Sequence, residues 1–232
     1  MAHGTHLPSD DPESVDDVDV MWIVQPPRRF VYGLNKWEHW TPPAGTYDEL
    51  DIICYSVSKL SHLLLKANPN VMGLLWLPES VRLEGHPLWD EWIPNRQAFL
   101  SRRVFDAFIG YAVAQLRRAG HPNHMGRLGK ERRAQFERHH YSPKNCAHCL
   151  RLLRMGLELA ETGEMHVDRT GIDAEEIKAI KRGEWTLAQI EREAEKGLAR
   201  LREVEESSKL AAEPNTAVIE PLVMRTIEAL WD

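Results

Sequence analysis

Residues 17–24 read Asp-Val-Asp-Val-Met-Trp-Ile-Val, two carboxylates at the start of an apolar run. The run is rich in β-branched and aromatic residues, a composition typical of a β-strand. Because residues i and i+2 of a strand point to the same face, Asp17 and Asp19 would present their carboxylates together. Magnesium prefers such sparse carboxylate ligands, completed by water and phosphate oxygens. The stretch therefore predicts a strand that carries a cation-binding pair.

A second apolar stretch, residues 50–55, reads Leu-Asp-Ile-Ile-Cys-Tyr and predicts another strand with a single acid inside it. Asp51 falls on the face opposite Ile52 and Cys54. Its carboxylate would be costly to place there unless that face is exposed or serves a site. A surface position on an edge strand is the alternative interpretation of Asp51.

A Gly-Thr turn, Gly4-Thr5, precedes both strands. Glycine lets backbone N–H groups approach a phosphate closely, and the hydroxyl can add a hydrogen bond. Together with this turn, Asp17, Asp19 and Asp51 match the needs of two-metal nucleotidyl transfer, in which two cations activate an acceptor hydroxyl and stabilise the leaving pyrophosphate. The alternatives are a solvated acidic loop for the Asp pair and a disordered tail for the turn.

The composition is that of an ordinary globular protein of 232 residues, 43% hydrophobic and 28% charged. No apolar run reaches the ~18 residues that a membrane span requires, and the N-terminus lacks the basic and apolar segments of a signal peptide. The three cysteines, Cys54, Cys146 and Cys149, cannot all pair with one another, so free thiols in a reducing compartment are expected. These features predict a cytoplasmic protein with no membrane partner.

The formal net charge of −6 conceals a strong asymmetry along the chain. Residues 1–20 carry six acids and no Lys or Arg, whereas residues 102–154 carry twelve Lys or Arg against three acids. A basic block beside an acidic cluster suits a protein that binds a metal-bound polyanion. A solvated basic surface is the alternative.

The residue patterns indicate a small α/β part followed by a mainly helical part. Pro- and Gly-rich loops separate the strands of the first 80 residues, and helical periodicity dominates afterwards. We therefore predict an α+β fold with an α/β core over residues 1–80 and a helical domain over residues 81–232. Strands are predicted at 20–24, 28–34 and 50–55, helices at 56–67, 70–77, 96–118, 143–162, 174–182, 187–207 and 222–230, capping boxes at 173–176 and 186–189, and irregular structure at 121–141.

The helix predicted to start at Pro143 has a basic face. Ser142 is a good N-cap and proline is favoured at the first helical position. Lys144, His148 and Arg151 follow at i, i+4 and i+7 and so share one face. A cation in the first turn is disfavoured by the helix dipole unless an anion sits there. These three residues are therefore candidates to bind a phosphate group, and a solvated basic face is the alternative.

Cys146, His148 and Cys149 invite a zinc interpretation, but no partner pair of ligands exists elsewhere in the chain. No zinc site is expected, and both cysteines are predicted to be small packing residues. Trp76, Trp89 and Trp92 are candidates to stack on a base, although burial is the commoner fate of tryptophan.

The Gly4-Thr5 turn, the Asp17-x-Asp19 pair and the single strand acid Asp51 resemble the signature of the DNA polymerase β-like nucleotidyltransferase superfamily. Longer stretches narrow the resemblance to the predicted nucleotidyltransferases found near RNA ligases, the RlaP or YcgL type. The resemblance extends over roughly residues 2–205. Its matching stretches are 51–55, 59–60, 64–70, 144–148, 150–158, 163–164 and 180–185.

The resemblance implies a polymerase β-like mixed sheet and a magnesium- or manganese-dependent nucleotidyltransferase that moves a nucleoside monophosphate from an NTP to a hydroxyl or phosphate. RNA is a candidate acceptor, in repair or modification. By this resemblance Asp17, Asp19 and Asp51 are the catalytic, metal-binding residues, and Asp51 also helps to deprotonate the acceptor. The residues implied to bind the nucleotide are Gly4, Thr5, Lys144, His148 and Arg151.

Two other functions fit the same residues. One is a binding module that recognises a nucleotide or RNA without chemistry, which the basic block at residues 102–154 favours. It predicts RNA binding that weakens as salt rises, with no turnover. The other is transfer of AMP to a protein, as some proteins of this fold perform.

Overall fold

The computed structural model describes residues 18–43, 46–47, 50–82, 86–120 and 130–231. Three strands and ten α-helices lie in these ranges. The strands are β1 (Val18–Val24), β2 (His39–Trp40) and β3 (Leu50–Ser56). The helices are α1 (Arg29–Tyr32), α2 (Val57–Leu65), α3 (Pro69–Met72), α4 (Trp89–Trp92), α5 (Arg103–Ala119), α6 (Lys130–His139), α7 (Pro143–Thr162), α8 (Ala174–Lys181), α9 (Leu187–Ser207) and α10 (Thr216–Ala229).

The strands form a mixed sheet in the order β1-β3-β2. β1 and β3 run parallel, and β2 pairs with β3 in the antiparallel sense through His39 and Trp40. A small mixed sheet with many helices is an α+β architecture, which confirms the predicted fold class. Within the described ranges, no helix is long and apolar enough to cross a membrane.

The chain divides into two compact units, which are described separately. The first comprises residues 1–101 and 211–232, and the second comprises residues 102–210. The predicted boundary after residue 80 falls inside the first unit, and α10 at the end of the chain also belongs to this unit. The functional division into 1–80 and 81–232 stays a prediction.

The first unit has its helical core around α2. Ser56 caps this helix by accepting a hydrogen bond from the backbone N–H of Lys59, and Val57, Leu60 and Leu64 are fully buried. Trp92 of α4 is also buried; its Nε1–H donates to the hydroxyl of Thr226 in α10 at 2.9 Å. Trp92 is therefore a core residue and not a free surface for stacking.

The second unit is built around α7, which packs against α5, α8 and α9. Ser142 caps α7 and Gly163, at φ 72°, ends it, so its bounds agree with the sequence prediction. Gly156 of α7 lies against Phe108 of α5, where a Cβ atom would come within 2.8 Å of the Phe108 side chain. This close approach explains the small residue in the middle of a buried helix.

The structure differs from the prediction at two places in the first part of the chain. Residues 28–34 do not form a strand, because the carbonyl group of Pro27 accepts a hydrogen bond from the N–H of Phe30 and starts the short helix α1. The two-residue strand β2, formed only through its pairing with β3, was not predicted. A strand this short has no periodicity of its own to detect.

Besides the short helix α4, for which no helix was predicted, the helical part differs from the prediction in three places. The single helix expected at 96–118 is a 3-10 turn at Arg96–Phe99 and then α5, because Leu100 is extended. Part of the segment expected to be irregular forms α6, whose polar residues lack an amphipathic pattern but are strong helix formers. The last helix begins at Thr216 and not at 222, and it contains Pro221.

Candidate functional site

Asp19 and Asp51 are register partners on neighbouring strands. In the parallel pairing of β1 with β3, Val18 lies opposite Leu50, Asp19 opposite Asp51 and Val20 opposite Ile52. Neighbouring strands lie about 4.8 Å apart, so partners in register project side by side on the same face. Both aspartates are exposed. The structure therefore brings together two of the three predicted carboxylates.

Burial on the opposite face sets this arrangement. Val20, Ile52 and Cys54 are only 4–6% exposed and form an apolar cluster, against which Trp37 packs. Because side chains alternate along a strand, burying these residues directs Asp19 and Asp51 to the other face. A slip of β1 by one residue relative to β3 would turn Asp19 towards the apolar cluster, at a high free-energy cost.

The other predicted ligands of the metal and triphosphate, Asp17, Gly4 and Thr5, lie outside the described residues. Within the described ranges, no group of three or more His, Cys, Asp or Glu side chains is arranged to hold a metal ion. Two exposed carboxylates side by side are nevertheless the hard oxygen ligands that Mg²⁺ and Mn²⁺ use. The chemistry of Asp19 and Asp51 thus fits a divalent cation that takes its remaining ligands from elsewhere.

Lys144, His148 and Arg151 lie on the second unit, along the first half of α7. All three are half-buried, and the helix begins with the hydroxyl of Ser142 accepting the N–H of Asn145 at 3.5 Å. Leu150 is buried on the core side. The structure therefore places the three basic residues along one helix, as predicted, and their proposed contact with phosphate stays a prediction.

An ion-pair network around the buried Arg169 links α7 to the start of α8, and it was not predicted. Arg169 is only 1% exposed; its guanidinium donates to Glu158 at 2.5 Å and to both oxygens of Asp173 at 2.7 and 2.9 Å. Arg154 donates to Asp173 and to Glu176, each at 2.7 Å. Arg154 therefore binds carboxylates of its own unit. The sequence signal for the network is the density of acids at 173–176, where the residue pattern predicts a capping box.

That capping box is wrong, whereas the one at Thr186 is confirmed. Asp173 precedes α8 but makes no side-chain capping bond, because its carboxylate is engaged by the two arginines. Burial is the largest single effect on its pKa and raises it, but the hydrogen bonds and charges of Arg169 and Arg154 together outweigh burial and hold the pKa of Asp173 below its usual value. At Thr186, the hydroxyl and the Gln189 side chain form both bonds of the box.

Cys146 and Cys149 are buried in α7. Burial raises the pKa of each thiol to about 12, with a smaller contribution to Cys146 from neighbouring Cys149. Thiols in this state are protonated and inert near neutral pH, since the thiolate is the reactive and metal-binding form. The prediction that these two cysteines pack in the core is confirmed.

Comparisons with known proteins give one family and one structure. No protein with a curated functional description matches the sequence. The crystal structure of a nucleotidyltransferase-like protein from Exiguobacterium sibiricum 255-15 is 15% identical, with a TM-score of 0.29, and the match covers 98% of this chain and 74% of that chain. A similarity with so low a TM-score indicates neither fold nor function. The model of the RNA repair pathway DNA polymerase beta family, RlaP, matches residues 2–224 and confirms the resemblance, so the chain belongs to this family.

Proposed function

We propose that the chain transfers a nucleoside monophosphate from a nucleoside triphosphate to a hydroxyl or phosphate acceptor, with Mg²⁺ or Mn²⁺ bound by its aspartates. Membership of the polymerase β family supports nucleotidyl transfer in general, on a nucleotide substrate and with a divalent metal. The observation that carries the proposal is the register pairing of Asp19 with Asp51, both of which are exposed. The description of the family favours RNA as the acceptor.

Asp17, Asp19 and Asp51 are the residues proposed to hold the metal. When bound, divalent cations neutralise charge on the triphosphate and lower the pKa of an acceptor hydroxyl. Asp51 has a second role, in which its carboxylate accepts the proton of that hydroxyl. The acceptor oxygen then forms a bond to the α-phosphorus, the bond from this phosphorus to the bridging oxygen breaks, and pyrophosphate leaves with the electron pair.

The phosphate contacts are proposed at two places in the chain. Gly4 and Thr5 would bind the triphosphate through backbone N–H groups and a hydroxyl. On the second unit, Lys144, His148 and Arg151 would bind phosphate through the start of α7. The position of Lys144 in the first turn of α7 supports this role, because the helix dipole disfavours a cation there unless an anion lies beside it.

The test of the chemistry is metal-dependent release of pyrophosphate from labelled NTPs. We expect Asp51→Asn and Asp19→Asn each to lower the rate at least about 100-fold, since a general base and a metal ligand are lost. Asp106→Asn is the matched control, because Asp106 is exposed on α5 and has no proposed role. Full activity of the Asp51 variant would contradict the proposed mechanism.

The test of the acceptor uses ATP labelled at the α-phosphate, incubated with RNA and with a cell lysate. Label that arrives on RNA supports an RNA-directed transferase, and label on a protein supports AMP transfer to protein. Salt-sensitive RNA binding without any release of pyrophosphate would instead identify a binding module.

A further inference from the structure

A surface pocket of about 390 Å³ opens on the second unit. It is formed by two segments that are far apart in sequence: the end of α6, a His-rich stretch, and the loop between α8 and α9. Neither segment has a part in the proposed nucleotidyl transfer. The pocket is lined by Arg138, His139, His140, Tyr141, Gly183, Glu184, Trp185, Thr186 and Leu187.

The imidazole of His139 is held in a fixed place in this pocket. Its ring lies 5.9 Å from that of Tyr141, centroid to centroid, and packs directly on Gly183. A Cβ atom at position 183 would come within 2.3 Å of the His139 Cε1 atom. Gly183 also has a φ of 80°, a conformation that other residues adopt only under strain. The positive φ and the close contact with the ring both favour glycine at position 183, and they allow the imidazole of His139 to pack there.

Tyr141 joins the two walls of the pocket. It is buried, and its hydroxyl donates a hydrogen bond to the carbonyl oxygen of Trp185. The Trp185 side chain remains half-buried at the rim. His140 also has a positive φ, 61°, which is uncommon in residues other than glycine. The two walls of the pocket are therefore fixed to each other by a hydrogen bond, and the Trp185 ring at its rim remains partly accessible.

The charged groups of the pocket favour an anion. Arg138 is exposed and, within the described part of the chain, pairs with no carboxylate. The single acid of the lining, Glu184, is already engaged by the guanidinium of Arg182 at 2.5 Å. The start of α9 is occupied by its own cap, so the side chains at the end of α6 supply the free donors.

We propose that this pocket binds a phosphate monoester that carries a nucleobase. Arg138, His139 and His140 donate hydrogen bonds to the phosphate, and the Trp185 ring stacks on the base. The volume falls in the range of about 300–1,000 Å³ in which small ligands bind. A free nucleotide and the phosphorylated end of an RNA strand share this chemistry.

The test follows the histidine Cε1–H signals of the full chain by NMR, with EDTA present so that metal-dependent binding is excluded. We expect inorganic phosphate and AMP to shift the His139 and His140 signals saturably and to leave His166, which contacts Glu158, unmoved. Arg138→Gln should weaken both affinities at least about tenfold, because a charge-assisted hydrogen bond is lost. Arg192→Gln, an exposed arginine of α9, is the matched control and should change neither.

Trp185→Leu distinguishes binding of the nucleobase from binding of the phosphate. It should weaken AMP at least about fivefold through loss of stacking and leave inorganic phosphate unchanged. A 5′-phosphorylated RNA pentamer that binds more tightly than AMP identifies an RNA end, and the reverse order identifies a free nucleotide.

The proposal is overturned if phosphate, up to about 10 mM, causes no saturable shift of either histidine signal. That concentration is well above the dissociation constant expected of a specific phosphate site. It is equally overturned if Arg138→Gln behaves like Arg192→Gln. Asp51→Asn should leave all these affinities unchanged, so a failure here is distinct from a failure of the proposed nucleotidyl transfer.

Discussion

One residue that lines the pocket of the second unit, Gly183, has both a backbone conformation and a side-chain contact that favour glycine. Gly183 satisfies two demands at once, a left-handed backbone and the contact with the His139 ring. Gly171 satisfies only the first, since its φ is 74° and, in the part of the chain that the structure describes, no atom beyond its chain neighbours lies within 4 Å of a Cβ built on it. Comparing the same substitution at Gly183 and at Gly171 therefore distinguishes the cost of backbone strain from the cost of a steric clash.

We expect Gly183→Ala to lower the free energy of unfolding by about 2–4 kcal/mol, and Gly171→Ala by only about 1–2 kcal/mol. Both variants bear the cost of a positive φ, but only the first forces a methyl group into the imidazole. Urea unfolding measures both values. Equal losses of unfolding free energy in the two variants would mean that the His139 ring moves aside without cost and is not held in place by its contact with Gly183.

At the scale of secondary-structure elements, α7 and α8 are joined through charge as well as through apolar contact. Asp173, at the start of α8, accepts hydrogen bonds from Arg154 of α7 and from Arg169 in the preceding loop. Removing one partner of a buried ion pair strongly destabilises a protein, because the other charge is left buried and unpaired. The network therefore makes the packing of these two helices sensitive to pH.

We expect Asp173→Asn to lower the free energy of unfolding by about 3 kcal/mol at pH 7. The pKa of Asp173 is lowered in the folded protein, so its carboxylate stabilises the fold fully above the unfolded-state pKa of about 4. That stability is lost as the pH falls from there through the lower folded-state pKa. The gap between the parent protein and the variant should therefore shrink below about pH 4.

Urea unfolding between pH 3 and pH 7 checks this expectation. The exposed Asp106→Asn control should stay within about 0.5 kcal/mol of the parent at every pH. A gap for Asp173→Asn that is constant across the range would show that the carboxylate is not the source of the stability.

At the scale of the whole molecule, the first unit is assembled from the two ends of the chain. Residues 211–232 return to the unit that contains the sheet, and α10 contacts α2. Trp92 donates to Thr226, and Glu91 pairs with Arg225 at 2.9 Å. The unit that carries Asp19 and Asp51 therefore depends on residues more than 100 positions away.

Leu222 of α10 is 1% exposed, and we expect Leu222→Ala to destabilise the first unit by about 2–5 kcal/mol. Hydrogen exchange should show reduced protection of the α2 amides, because α2 packs against α10. Met224→Ala is the control, since Met224 is 54% exposed and its loss should cost little. Unchanged protection of α2 in the Leu222 variant would show that the two helices do not unfold together.

The sequence alone predicts part of the local structure. Strand alternation around Asp19 and Asp51, the Ser142 cap and the end of α7 at Gly163 follow from interactions between near neighbours, and they were predictable for that reason. The family was predictable too, because its motifs are local stretches of residues. The metal and phosphate roles of the predicted residues remain predictions.

The contacts between distant residues are set by tertiary packing. The register that sets Asp19 beside Asp51 depends on an apolar cluster formed by two strands, and the burial of Arg169 depends on carboxylates brought in by other elements. The pocket joins the end of α6 to Gly183 and Trp185 across more than 40 residues. Periodicity and propensity describe one segment at a time. A contact that is stabilised by packing two distant segments together therefore leaves no signal in the sequence of either segment.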